Sequence, residues 1–503
     1  MNELTFDWVS RRADRTPEQT AIVDTGTGTE LSYDAFDRRA SRVAEFLADE
    51  LAVEPGSRVV ILSHNGAHYF ETIYGCAKAE TPYVALNWRL APPELEYVLE
   101  DSTPDVLVYG AEFAETVETL RSSVDVDHFV AVGEPASPDD WTYEEALATA
   151  SGRRRAMDAR PRSDTWGLLY TSGTTGRPKG VRQTFDMVVY NYLNIGVHVD
   201  LTADDTTLNV LPCFHTGGLN LYANPTLLVG GTAIVQPTFD PEEALELLEE
   251  RATVFFGVPA IYRALADQPG FEEADLSGVR SWSSGGAPMP VNLLEELAAH
   301  DVVVRQGMGM TETGPALFLI DEANALEKAG SIGKPSLFVE TRVVDADGND
   351  CPPGESGELL ARGPGITPGY WKNPEANEAA FEDGWLHTGD VARVDDDGYY
   401  YLVDRIKNMF ISGGENVYPA EVENTLHDHP EIAEAAVVGV PDEQWGEVGK
   451  AVVVLEDGAS IDAAAVREFC DGRLARYKIP KHVATVEELP RNAAGKIRRE
   501  ALE

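Results

Sequence analysis

The chain has 503 residues, too many for one hydrophobic core and enough for roughly two to four domains, and its 43% hydrophobic content suffices to fill them. Asp and Glu number 85 against 40 Lys and Arg, a formal charge of -45 that repels phosphate backbones and anionic membrane surfaces, so nucleic acid is excluded as the expected partner. The acids are scattered rather than gathered in a tail, which reads as a solvated, halophilic surface, because molar salt shortens the screening length to about 3 Å.

Residues 1–9 are too short of apolar length for a secretory signal, and no stretch reaches about 18 uninterrupted apolar residues, so no membrane span is expected and the protein reads as cytoplasmic. Cys76, Cys213, Cys351 and Cys470 lie far apart, with no CxxC pair and no histidine at metal spacing, so neither a disulfide framework nor a zinc site is indicated. From 31 to about 301, apolar β runs at 58–62, 106–109, 129–132, 232–235 and 254–257 alternate with helical stretches, a rhythm that predicts α/β layers with largely parallel sheets. Residues 241–251 form one such helix, with a proline at its start, Ala244, Leu245, Leu247 and Leu248 toward a core, and an acidic solvent face.

Residues 170–180 read YTSGTTGRPKG. Gly173, Gly176 and Gly180 let backbone N–H groups turn toward an anion, Ser172, Thr174 and Thr175 add donors, and Lys179 adds a charge, as a loop closing over the phosphates of ATP requires. It is not a Walker loop, since an apolar run leads in, a second short strand follows at 181–184, and a helix begins only after Thr184, its expected N-cap. A Gly/Ser linker would account for five such residues more readily than for all eleven with the lysine in place. Lysine is scarce in this chain, and Lys179, Lys407, Lys478 and Lys496 are candidates to offset the repulsion that an acidic protein presents to ATP.

Between about 340 and 403 the pattern changes to short strands with turn signals at Asp347-Gly348, Pro353-Gly354 and Asp397-Gly398, a small antiparallel barrel or sheet. A boundary is expected at 404–407. Beyond it, 417–427 reads as helix, 435–440 and 450–456 as strands and 463–474 as helix, enough for a small α+β domain, although an extension of the preceding core stays open.

The chain resembles the AMP-forming acyl-CoA synthetases, the adenylate-forming enzymes that also include firefly luciferase and peptide-synthetase adenylation domains. The resemblance spans almost the whole chain. It rests on YTSGTTGRPKG at 170–180, LPCFHTGGL at 211–219, SSGGAP at 283–288, GMGMTETG at 307–314, GWLHTGD at 384–390, DRIKNMFISGGENVYPAEVE at 404–423 and PRNAAGKIRRE at 490–500, in the family's order. The wording is closest to fatty-acyl-CoA ligases. The fold implied is α/β: a large N-terminal domain at 1–403 of two layered α/β subdomains plus a small β-barrel, a hinge at 404–407, and a mobile α+β lid domain at 408–503.

The reaction implied joins a fatty or other hydrophobic carboxylic acid to ATP, releasing pyrophosphate, and then passes the acyl group from AMP to coenzyme A. Magnesium and phosphate would be met by Glu312 and Thr311, oxygen ligands of the kind that cation prefers. Thr171, Ser172, Gly173, Thr174, Thr175, Gly176 and Lys179 match the phosphate loop, and Gly285, Gly286, Ala287, Met308, Gly309 and Met310 the rest of the nucleotide site. Asp390 matches the carboxylate that grips ribose hydroxyls and Arg405 the arginine near ribose and phosphate, although either alone would read as half of a surface ion pair.

Lys496 matches the lysine inserted between carboxylate and α-phosphate during adenylation, against the bland alternative of a basic tail. Lys407 stands where the family hinges, so that Ser412, Gly413, Gly414 and Glu415 would be presented for thioester formation; a tight turn explains the two glycines equally well. His215 matches the ring that gates the acyl pocket, though alone it reads as a core histidine, and Cys213 reads as a small buried hydrophobe. Two positions depart from the family. Met308 replaces the usual aromatic adenine platform, and Ala494 a commonly polar residue before Gly495-Lys496.

Transfer to a carrier protein or another acceptor is the alternative to coenzyme A, and a nucleotide-binding regulator on the same scaffold is argued against by the intact Glu312, Asp390, Arg405 and Lys496. The oligomeric state is left open, with a homodimer among the options.

Overall fold

The computed structural model describes residues 4–171, 177–412, 415–442, 445–456, 458–471, 473–492 and 496–502. The chain divides into two compact units, 1–340 with 362–384 and 341–361 with 385–503.

Two sheets form the first unit. The larger has nine strands in the order Lys334–Pro335, Phe318–Leu319, Val304–Met308, Ser281–Ser284, Val254–Gly257, Thr206–Asn209, Thr232–Val235, Thr20–Asp24 and Thr29–Ser32. From Val304–Met308 to Thr20–Asp24 the strands run parallel. The smaller has seven, in the order Lys179–Thr184, Thr165–Thr171, Tyr83–Ala85, Arg58–Leu62, Pro104–Gly110, His128–Val132 and Trp141–Thr142, with Lys179–Thr184 turning back antiparallel on its neighbour.

Helices Tyr33–Glu45 and Ala67–Ala79 share one core with Ile22 and Val235 of the larger sheet and Ile61 and Tyr83 of the smaller. A helix between two sheets is buried on every side, and in Ala67–Ala79 Tyr69, Phe70, Ile73, Tyr74 and Cys76 are all buried while its two buried charges are paired, Glu71 with Arg39 and Lys78 with Asp7 and Asp37. Amphipathic helices cover the outer faces. Pro241–Glu250, Pro259–Ala266 and Val291–Ala298 pack on the larger sheet, Pro92–Ser102 and Ala114–Leu120 on the smaller. The expected alternation of buried strands and helices is thus present, and the expected helix after Thr184 runs Phe185–Asn191, its N-cap hydroxyl accepting the Met187 N–H at 3.3 Å.

The second unit contains an antiparallel sheet and an α+β layer. Ser356–Arg362, Trp385–Val394 and Tyr400–Arg405 pair antiparallel, and the Asp395 carboxylate fixes the hairpin turn by accepting the N–H groups of Asp397 and Tyr399 at 3.0 and 2.8 Å. A second, five-stranded sheet holds Glu415–Val417, Phe410–Ser412, Gly446–Leu455, Ile432–Asp442 and His482–Thr485. Val422 and Leu426 of helix Pro419–His427 and Val466 and Cys470 of helix Ala463–Cys470 bury against Val437 and Val453 of that sheet. The latter helix stops at Cys470, four residues short of the predicted end, because Asp471 turns to extended backbone while its N–H still reaches the Arg467 carbonyl. Among the described residues no helix is long and apolar enough to cross a membrane.

Candidate active site

In an open parallel sheet the loops at the carboxyl ends of adjacent strands form a crevice, which is where such folds bind ligands. Strands Thr206–Asn209, Val254–Gly257, Ser281–Ser284 and Val304–Met308 are consecutive neighbours in the larger sheet, and three of the sequence blocks singled out above follow them directly. The crossing of backbones there is close. A Cβ on Gly309 would lie 1.2 Å from the Pro315 carbonyl oxygen, one on Gly307 would lie 2.6 Å from that of Phe318, and Gly286 holds a φ of +79°. Gly285 is buried while Gly286 and Ala287 are exposed.

The turn after Gly309 is closed by the Thr313 hydroxyl, which accepts the Met310 N–H at 2.8 Å and donates to the Met310 carbonyl at 3.1 Å. This sets Thr311 half-exposed and Glu312 buried. Tyr370 donates its hydroxyl to Glu312 Oε1 at 3.0 Å, and Thr367 N–H donates to the Glu312 carbonyl at 2.8 Å. Among the described residues Glu312 has no cationic partner, although a buried carboxylate without compensation is costly. A carboxylate so placed is the kind of hard oxygen ligand magnesium prefers, and the hydroxyl of adjacent Thr311 would be a second oxygen of the same kind.

Lys179 begins the strand that pairs with Thr165–Thr171, opposite Thr171 itself, and its Nζ lies 5.0 Å from the centre of the Tyr370 ring. Ser172, Gly173, Thr174, Thr175 and Gly176 lie outside the described residues. On the neighbouring segment, half-buried His215 packs its ring 4.4 Å from that of Phe214, and its carbonyl accepts the N–H groups of Gly218 and Leu219. Gly218 passes so close to the Pro212 carbonyl that a Cβ there would lie 2.3 Å from its oxygen, and no side chain fits. Cys213 is fully buried and desolvation pushes its thiol up to about 12 despite the Asn209 amide beside it, which agrees with a packing role. Met308 is buried in its strand, leaving little of the thioether to face a purine.

Two residues that the sequence alone does not single out organise this cluster. Gln183, fully buried, donates to the Thr311 carbonyl at 3.1 Å and accepts from the Asn220 amide at 3.4 Å, so one side chain joins the His215 segment to the Glu312 turn. Tyr370 joins Lys179 to Glu312. Strand Lys179–Thr184 gives no clear period-two signal for Gln183, since Gly180 and Thr184 on its other face are buried as well as Val181 and Gln183.

In the second unit Asp390 and Arg405 face each other across adjacent strands with Nε to Oδ1 at 2.8 Å, and the aspartate side chain is only 7% exposed. Lys407 follows in the short turn Ile406–Asn408, and partial desolvation, then the Arg405 charge, lowers its ammonium below the usual lysine range. Asp404 accepts Arg405 N–H and the Asn408 amide through one oxygen and Ala420 N–H, at the start of helix Pro419–His427, through the other at 2.7 Å. Ser412 is buried and Glu415, its cross-strand partner, exposed; Gly413 and Gly414 lie outside the described residues. Lys496 is exposed, and its backbone is clasped by Asn492, whose side-chain carbonyl accepts Lys496 N–H at 3.0 Å and whose N–H donates to the Lys496 carbonyl at 2.8 Å.

Lys179, Tyr370 and buried Glu312 thus stand together near the glycine-rich ends of these strands. Residues 9–371 match the family described as AMP-binding enzyme and residues 421–496 its C-terminal domain. Feruloyl-CoA synthase of an Amycolatopsis species is 42% identical over 503 residues, covering 99% of this chain and 98% of that protein. Long-chain-fatty-acid–CoA ligase of Mycobacterium tuberculosis is 37% identical over 497 residues, covering 97% and 96%. Among solved structures, o-succinylbenzoate CoA synthetase of Bacillus subtilis with its acyl-adenylate intermediate superposes with a TM-score of 0.88 at 32% identity, covering 100% of this chain and 98% of that one. The same enzyme with ATP and magnesium ion gives 0.89.

The chain belongs to the AMP-binding enzyme family, the adenylate-forming acyl-CoA synthetases. Within it the protein is an AMP-forming acid:CoA ligase, with ATP and magnesium for adenylation and coenzyme A as co-substrate.

Proposed function

We propose that this ligase activates a bulky hydrophobic carboxylic acid. The observation that supports this reading is a pair of partly buried rings beside the nucleotide loops: Tyr192 and Phe256 pack on the closed core of Ile195, Tyr222 and Ala316, and the Phe256 ring tip lies 3.4 Å from where a Cβ on Gly285 would sit. A polar acid would find few partners there, whereas an aliphatic or aromatic chain buries its surface at about 25 cal/mol per Å². Two of the relatives above are named for large, mainly apolar acyl groups, feruloyl and long-chain fatty acyl, while o-succinylbenzoate adds a second carboxylate to an aromatic ring.

In this reading a carboxylate oxygen attacks the α-phosphorus, the bond to the bridging oxygen breaks and pyrophosphate leaves; a thiol then attacks the acyl carbon and AMP leaves. Magnesium, held by Glu312 and Thr311, supplies neutralisation of triphosphate charge. Thr171 and the loop to Lys179 cradle phosphates, Gly285 to Ala287 and Met308 to Met310 flank the base, and Asp390 with Arg405 takes the ribose. His215 bounds the acyl site. Residues 404–407 act as a hinge, with the sheet at 340–403 as the small barrel of the first domain and 408–503 as a lid that offers Lys496 for adenylation and Ser412 to Glu415 for thioester formation. The acidic surface suits a high-salt cytoplasm.

The test is a pyrophosphate-release screen over acids from acetate through palmitate to benzoate and ferulate, with coenzyme A, with a carrier protein, or with neither, in concentrated potassium chloride. Release with the larger apolar acids and acyl transfer to coenzyme A are expected. Preference for acetate would refute the hydrophobic assignment, and turnover only with a carrier would replace coenzyme A as the acceptor.

A further inference from the structure

We propose that Tyr370 is a positioning residue that keeps Lys179 and Glu312 from neutralising each other, offering its ring to the ammonium and its hydroxyl to the carboxylate. The proposal rests on the reading of Lys179 as a phosphate ligand and Glu312 as a magnesium ligand given above.

An ammonium and a carboxylate lining one crevice are drawn to pair directly, and a direct pair would leave neither available for the triphosphate or its cation. In this structure they do not pair. Lys179 Nζ stands over the Tyr370 ring at 5.0 Å from its centre, and Glu312 Oε1 accepts the phenol hydroxyl at 3.0 Å. One side chain thus answers both charges with the part of itself suited to each: the negative ring face and the hydroxyl proton.

The wedge is held from its backbone. Tyr370 forms a bridge with Val181 in the strand that Lys179 begins, and on either side Arg182 N–H donates to the Gly369 carbonyl at 3.1 Å and Trp371 N–H to the Gly180 carbonyl at 2.7 Å. From the other direction the Asn377 side chain accepts Tyr370 N–H at 2.6 Å and donates to its carbonyl at 3.2 Å. Gly369, with a φ of +133° and Asn377 Oδ1 only 2.5 Å from its would-be Cβ, lets the chain turn into that grip. The 367–371 segment also fixes the glutamate, since Thr367 N–H holds the Glu312 carbonyl. A ring so pinned sets both charges relative to the strand and turn that carry them.

The experiment measures ATP binding by calorimetry in EDTA and in magnesium chloride, beside thioester formation from supplied acyl-AMP, which involves neither triphosphate nor its cation. Tyr370→Phe keeps the ring and removes the hydroxyl: ATP affinity in EDTA should stay within about twofold, while the gain in affinity on adding magnesium should shrink by up to about tenfold, the scale of a hydrogen bond to a charged group. Tyr370→Leu removes the ring too and lets the charges collapse together, so affinity should fall at least about threefold in EDTA as well. Thioester formation should hold in both. Binding like the unsubstituted enzyme in Tyr370→Leu, or an equal loss in both half-reactions for Tyr370→Phe, would overturn the proposal. Lys179→Ala and Glu312→Gln are run beside them: if these leave ATP and magnesium-dependent binding intact, the underlying site reading falls and the proposal with it, whereas impaired controls with unaffected Tyr370 variants remove the role of Tyr370 alone.

Discussion

Among single residues, the role proposed for Lys496 is the most specific. Its side chain is exposed and its backbone is fixed by the two hydrogen bonds to Asn492, so the loop presents the group without burying it. A preorganised donor aimed at charge that develops in one step contributes to that step alone, by roughly 10²- to 10³-fold. Lys496→Ala is therefore expected to suppress acyl-AMP formation by that factor and to leave thioester formation from supplied acyl-AMP unchanged; quench-flow of the two half-reactions checks this, and equal losses would contradict it. The candidates Lys179, Glu312, Asp390 and Lys496 could be proposed from the sequence because each sits in a contiguous block, as a side chain required by local chemistry would. Tyr370 and Gln183 were not legible. Their contacts to Glu312 and Thr311 span 58 and 128 residues, and strand pairing and backbone grip, not local wording, bring them there.

At the scale of elements, periodicity served best where one face or all faces of an element are buried. The apolar runs at 58–62, 232–235 and 254–257 became central parallel strands, and the Asp397-Gly398 signal became a hairpin turn fixed by Asp395. Ends were less visible, as with the helix that stops at Cys470, because a cap depends on one residue's backbone rather than on a repeat. The same distinction bears on the segment 404–408. Asp404 reaches forward to Ala420 at the start of helix Pro419–His427, so the short turn Ile406–Asn408 is bracketed by its own aspartate. If that turn is the pivot, its backbone must change between the two half-reactions. Lys407→Pro locks φ near -65° and restricts Ile406 before it. Coenzyme A-dependent thioester formation should slow by at least about tenfold while adenylation changes far less, an effect read from single-turnover rates. Unaltered transfer to coenzyme A would remove Lys407 from the role of hinge.

The whole molecule carries 45 more acids than bases, since 85 exceeds 40 by that number, so most carboxylates have no cation to meet whatever their geometry. Helix Pro241–Glu250 shows the consequence locally: Glu242, Glu246 and Glu250 are exposed at successive i,i+4 positions on one face, where like charges each destabilise by roughly 0.2–0.5 kcal/mol in dilute buffer. Such repulsion sums over the surface of the folded state and is relaxed in the expanded chain, so it opposes folding. Screening removes it. The screening length falls from about 30 Å at 0.01 M to about 10 Å at 0.1 M and about 3 Å at 1 M, already shorter than the spacing of many neighbouring surface carboxylates. The melting temperature should therefore rise by several degrees between about 0.05 and 1 M potassium chloride, with the steepest gain at the low end, where the screening length changes fastest. Calorimetric or fluorescence melts over that range decide the matter: a flat or falling melting temperature would mean that the acidic surface exerts no net repulsion on the fold, and the high-salt reading of the composition would lose its physical basis.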